Sequence, residues 1–95
     1  MRLSATLQQC ILQATRQNFG EDAKVWLFGS RVDDTRRGGD VDLYVETTHS
    51  NNLMAELQCK IAIEESLDLH VDLVVNDPGK DKPIYKIAKK QGVLL

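Results

Sequence analysis

The chain has 95 residues, with 12 Lys plus Arg against 14 Asp plus Glu for a formal charge of −2, and two cysteines. That length lies below the size at which chains split into several cores and would bury about 60 to 65 per cent of its surface on folding, so 1–95 reads as one small domain. The slight negative charge argues against a broad electrostatic grip on nucleic acid, and the start MRLSATLQQCIL, broken by Ser, Thr and Gln, argues against a signal peptide or a membrane span, leaving a cytoplasmic protein as the expectation.

Leu3, Leu7, Cys10, Ile11 and Ala14 recur at helical spacing and predict a first helix that ends near 18–20 and covers one face of a sheet. Lys24 to Phe28, KVWLF, is a short apolar run that predicts a buried strand running into a tight turn at Gly29, with Trp26 and Phe28 as core aromatics. From 40 to 46 the alternation is clean: Val41, Leu43 and Val45 form an apolar face, and Asp40, Asp42, Tyr44 and Glu46 take the other. Tyr44 could stack on a base, but packing beneath a helix is the better reading. The polar stretch THSNN, which holds His49, offers a cap, and Leu53, Met54, Leu57 and Ile61 predict a second amphipathic helix. HVDLVV, 70–75, repeats the strand alternation, with Val71, Leu73 and Val75 apolar and His70 and Asp72 on the polar side. After the turn-rich NDPGKDKP, Pro83 suits the first turn of a last helix with Ile84, Ile87 and Ala88 inward, Gly92 as terminator and KIAKKQ as its solvated face. Cys10 and Cys59 both fall in helical segments and lack a CxxC spacing, which favours free thiols over a disulfide or a zinc site. The expected architecture is α+β, a small mixed β-sheet with helices packed on one face.

The chemistry concentrates in FGSRVDDTRRGGDVDLYV, 28–45. Residues i and i+2 of a strand share a side, so the Asp40 and Asp42 Cα atoms sit roughly 7 Å apart and their carboxylates can converge on ions that take oxygen at about 2.1 Å. If the 70–75 strand pairs with theirs, Asp72 joins them. Three carboxylates on one surface repel one another unless a cation compensates, and Mg²⁺ is the fitting ion. It takes one or two carboxylates plus substrate phosphate, and in pairs it clamps both oxygens of an in-line displacement. Gly29 would let backbone approach a phosphate, the Ser30 hydroxyl could add a hydrogen bond, and Arg31 could add charge. Neither GxxxxGK[ST] nor GxGxxG occurs. A lone Gly-Ser after a strand is ordinarily a turn and a lone Asp-x-Asp a solvated edge. The joint pattern, with nine residues between Ser30 and Asp40 and a third aspartate of matching parity, points instead to nucleotidyl transfer. His70 shares the face of Asp72 and could touch phosphate or metal, although an edge position is the commoner role for such a residue.

The segment GSRVDDTRRGGDVDL resembles the signature of the minimal nucleotidyltransferase (MNT) family, within the DNA polymerase beta-like nucleotidyltransferase superfamily, and Asp72 in HVDLVV matches its third carboxylate. The resemblance runs from the leading helix to PIYKIAKKQGVLL. One departure is Asp33, where family members often carry a second Arg, and Arg36 and Arg37 either substitute for it or form a solvated loop. The resemblance implies a nucleotidyltransferase fold in which Asp40, Asp42 and Asp72 are catalytic and hold two Mg²⁺ ions, while Gly29, Ser30 and Arg31 hold the phosphates of a nucleoside triphosphate, by family analogy ATP. It also implies a separately encoded helical HEPN-type toxin as partner in a hetero-oligomer, with the chain as antitoxin transferring AMP to a tyrosine of the toxin. Two other readings stay open: a non-catalytic subunit that neutralises its partner by occlusion, and a transferase acting on a small hydroxyl compound in a pocket completed by a partner.

Overall fold

The computed structural model describes residues 5–29, 40–48, 53–67, 70–76 and 80–95, the side chains of Asp40 and Leu67 excepted. In chain order they form α1 (Ala5–Phe19), β1 (Lys24–Phe28), β2 (Asp40–Glu46), α2 (Leu53–Leu67), β3 (His70–Val75), α3 (Pro83–Gln91) and β4 (Val93–Leu94). The strands make one sheet in the order β3-β2-β1-β4. β1 is antiparallel to both β2 and β4, while β2 and β3 are parallel, as two strands joined through a helix must be when the chain returns to the same edge.

Strand parity divides the core in two. Val25, Leu27, Val41, Leu43, Val45, Val71 and Val75 point to one face, where Ile11, Ala14 and Phe19 of α1 and Cys59 and Ile63 of α2 close over them. The opposite face carries Trp26, Phe28, Tyr44 and Val74, and α3 packs against it through Tyr85 and Ala88. The small mixed sheet is as expected and α1 and α2 share one face of it; α3 crosses the other. Tyr44, 1% exposed, is the pivot of that second layer, stacked on Tyr85 at 5.4 Å between ring centroids and tilted against Trp26 at 5.6 Å. Lys89 of α3 ties the layer down, donating to the Glu46 carboxylate at 2.9 Å while lying over the Trp26 ring.

Two helix faces differ from expectation. Leu53, Met54, Leu57 and Ile61 of α2 are 69, 62, 46 and 51% exposed, and the buried side is Cys59 and Ile63, with Ala55 and Ala62 packed beside them. The helix LMAELQCKIAIEESL is apolar on both sides, so spacing alone could not choose. The side with small residues lies inward because α2 must approach both α1 and β3 closely. In α3 Tyr85 and Ala88 are buried and Ile87 is exposed, the stack on Tyr44 having set the rotation of the helix.

The segment after α3 is a strand that periodicity did not reveal. Gly92 N–H donates to the Ala88 carbonyl, and a Cβ at this position would press on the Leu27 carbonyl oxygen at 2.8 Å. Glycine therefore lets the chain turn tightly enough for Val93 and Leu94 to pair with Leu27 and Trp26. At the other end of the sheet, Asn76 accepts from Thr47 N–H at 2.7 Å and donates to the Thr47 carbonyl at 3.1 Å, which pins the ends of β2 and β3 together.

Candidate functional site

The site lies where β1 ends and β2 and β3 begin. Pairing of β2 with β3 sets Asp42 directly beside Asp72 and Asp40 beside His70. Asp42, His70 and Asp72 occupy the parity that faces away from the α1 and α2 layer, next to the aromatic patch under α3. Parallel neighbours lie about 4.8 Å apart, so the Asp42 and Asp72 backbones stand side by side, with the Asp42 carboxylate against Gly29 on the β1 side. Asp42 is half-buried, and the Asp72 side chain is 54% exposed. The structure thus brings together the Asp42 and Asp72 positions, with the Asp40 backbone next in line.

β1 supplies the third wall. Phe28 is the antiparallel partner of Asp42, and Gly29 follows it with φ +77, in the left-handed region that side chains disfavour. A Cβ at Gly29 would collide with the Asp42 carboxylate, its Cγ falling 2.9 Å away. The glycine turn and the acidic strand are therefore in contact. Ser30 and Arg31, together with Asp33, Arg36, Arg37 and His49, lie outside the described residues.

One neighbour escaped the sequence. Glu64, near the end of α2, accepts the main-chain N–H of Val71 at 2.9 Å, and the same oxygen lies 3.1 Å from His70 Nδ1. His70 Nε2 in turn sits 3.4 Å from Asp72 Oδ1. A Glu–His–Asp chain thus runs from α2 across the free edge of β3 to the carboxylate patch. Nothing in the spacing of Glu64 announces it, since the contact depends on how α2 docks.

Among the described residues no group of three or more His, Cys, Asp or Glu side chains is already gathered closely enough to cage an ion. Two in-register carboxylates beside a Cβ-free turn nevertheless fit a hard divalent cation that completes its shell with phosphate and water, which is how Mg²⁺ is ordinarily held. The aromatic layer behind the patch is inert by contrast. Burial, with the Glu46 charge added, pushes the Tyr44 phenol far above its usual range and keeps it protonated. No helix among the described residues is long and apolar enough to cross a membrane.

Several solved structures share this architecture. A chain of a toxin–antitoxin complex with AMP-PNP superposes with a TM-score of 0.74 at 22% identity, covering 92% of this chain and 70% of that one. A chain from the complex of tri-AMPylated Shewanella oneidensis HEPN toxin with MNT antitoxin gives 0.70 at 21% identity, covering 94% and 68%. One from the MntA–HepT toxin–antitoxin complex gives 0.70 at 20%, covering 96% and 70%. Such low identities speak for the fold. Comparison with curated proteins finds no match. The family description "nucleotidyltransferase domain" matches residues 10–95, nearly the whole chain and every strand of the sheet, so the protein belongs to the nucleotidyltransferase domain family.

Proposed function

We propose that the chain is an antitoxin that transfers AMP from ATP to a tyrosine hydroxyl of a HEPN-type toxin partner. The observation that carries this reading is the register of Asp42 against Asp72, with the Asp42 carboxylate packed against the turn at Gly29. Asp40, Asp42 and Asp72 hold Mg²⁺, which when bound offsets the charge of the triphosphate and of the departing pyrophosphate. The backbone at the Gly29 turn, with Ser30 and Arg31, would hold the phosphates of the triphosphate. Asp72, the more exposed carboxylate, stands where an acceptor hydroxyl can give up its proton as it attacks the α-phosphorus. Rate enhancement comes from positioning and charge, with no covalent step on the protein.

The complexes of MNT antitoxin with HEPN toxin, one of them tri-AMPylated, support both the partner and the acceptor chemistry. The row of exposed Leu53, Met54, Leu57 and Ile61 on α2, an apolar strip suited to a protein partner, supports the partner as well. That strip equally favours a second reading, neutralisation by occlusion without transfer. Incubating the chain with ATP, Mg²⁺ and its HEPN-type partner, then weighing both proteins, decides between them. A partner mass gain of one or more AMP groups that disappears in Asp42→Asn supports transfer. Neutralisation with unchanged masses supports occlusion and overturns it.

A further inference from the structure

We infer that the second half of β3, from Leu73 to Val75, is a docking edge for an extended acidic segment of a protein partner, which joins the sheet as an added strand. This holds whether or not the carboxylate patch transfers AMP.

β3 is an outer strand, with β2 on one side only. Successive residues of a strand aim their backbone groups to opposite sides, and two bonds fix which is which. Asn76 N–H donates inward to the Val45 carbonyl at 3.0 Å, whereas Val71 N–H donates outward to Glu64 at 2.9 Å. Leu73 and Val75 share the parity of Val71, so their amides and carbonyls also point away from β2. Glu64 shields the edge at Val71. Among the described residues no strand or side chain bonds to the outward groups of Leu73 and Val75. Open edges of this kind accept another chain unless they are blunted, and here only the first half is.

The unshielded half opens into a cavity of about 410 Å³. Its floor is Leu73 to Val75, with Glu56 of α2 on one side and Lys80, Lys82 and Ile84 on the other. An extended segment matches backbone groups presented at every second residue, and its side chains alternate between the two walls. On the side of Val74 and Ile84 they meet the two lysines. Asp81 between these lysines lies 3.6 Å from Lys86, and Lys82 enters no ion pair among the described residues, so this wall calls for carboxylates. On the other side they meet α2, where Leu53, one turn before Glu56, is exposed and suits an apolar side chain. Two copies of β3 would pair less well, because Glu64 covers the first half of each edge.

The test is amide hydrogen exchange and binding, followed by NMR, of the chain with a short capped peptide of alternating glutamate and valine. The expected result is saturable binding that slows exchange at Leu73 and Val75 but leaves Val71, already bonded to Glu64, unchanged. Combining Lys80→Glu with Lys82→Glu, both at exposed positions, should weaken binding about tenfold with the fold intact by circular dichroism, and N-methylation of the peptide backbone should abolish it. Absence of binding, binding without slowed exchange at Leu73 and Val75, or equal binding of a peptide with lysine in place of glutamate overturns the inference. Slowed exchange that grows with protein concentration in the absence of peptide, together with a dimer in sedimentation, would assign the edge to a second copy and overturn it too.

Discussion

The carboxylate of Asp42 occupies the space that a side chain on Gly29 would need. A turn on one strand and an acidic group on the next are thus mutually exclusive with any bulk between them, and the positive φ of Gly29 adds a second reason for glycine. Gly29→Ala should displace Asp42, lowering the proposed AMP transfer at least tenfold, with a stability loss of about 1 kcal/mol or more from the left-handed backbone alone. Transfer assays beside urea unfolding check both parts.

The pairing of Asp42 with Asp72 sets like charges directly opposite on parallel strands, which is unfavourable in the ion-free protein. Asp72→Asn should therefore raise stability by a few tenths of a kcal/mol without metal, a small figure because the side chain is half open to solvent. Added Mg²⁺ with ATP should stabilise the wild type by mass action and the variant much less. Thermal unfolding with and without the ions gives the comparison, and a variant less stable than wild type in both conditions would count against the reading.

Tyr85 joins α3 to the sheet through its stack on Tyr44. Tyr85→Ala should cost about 3 kcal/mol, the range for removing a buried aromatic, whereas Tyr85→Phe should cost far less because the ring contact survives. Equilibrium denaturation of the two variants tests whether the ring or the hydroxyl matters.

Cys59 is fully buried, and burial pushes its thiol up to about 11 from an ordinary 9.0, the Thr15 hydroxyl pulling slightly the other way. Its folded pKa is raised, so the neutral thiol's contribution is complete below about pH 9 and is lost as pH climbs towards 11. The wild type should lose about 2 to 3 kcal/mol more than Cys59→Ala over that interval, measured as the difference between their denaturation curves at each pH.

The exposed row Leu53, Met54, Leu57 and Ile61 makes no use of burial within the chain. Leu57→Glu with Ile61→Glu should leave folding within about 0.5 kcal/mol of wild type yet weaken assembly with the proposed HEPN-type partner by tenfold or more. Calorimetric titration of the partner, alongside circular dichroism of the variant, distinguishes a lost interface from a lost fold.

Where a residue pattern had one physical solution, it could be read without coordinates. The alternation DVDLYVE permits a single assignment of faces, because a one-residue slip would bury Asp40 and Asp42 and expose Val41, Leu43 and Val45. The same logic held for HVDLVV, and Asp72 stands on the side its parity demands. α2 had no such constraint. With apolar residues on two sides, its orientation came from the need of Ala55, Cys59 and Ala62 to fit against α1 and β3. β4 was hidden for a different reason: two residues are too few to show a period, and they form a strand only because the edge of β1 is there to pair with.

By itself the amino-acid order determined the three longer strands, the side on which Asp72 stands, and a turn at Gly29, since all of these follow from local sterics and the two-residue repeat of a strand. Only the tertiary structure decided that Asp42 pairs in register with Asp72, that Glu64 reaches His70, that α3 crosses the far face through Tyr85, and that one apolar side of α2 stays exposed. Those are matters of register and docking between segments far apart in the chain, and they are settled by close packing, to which a local pattern has no access.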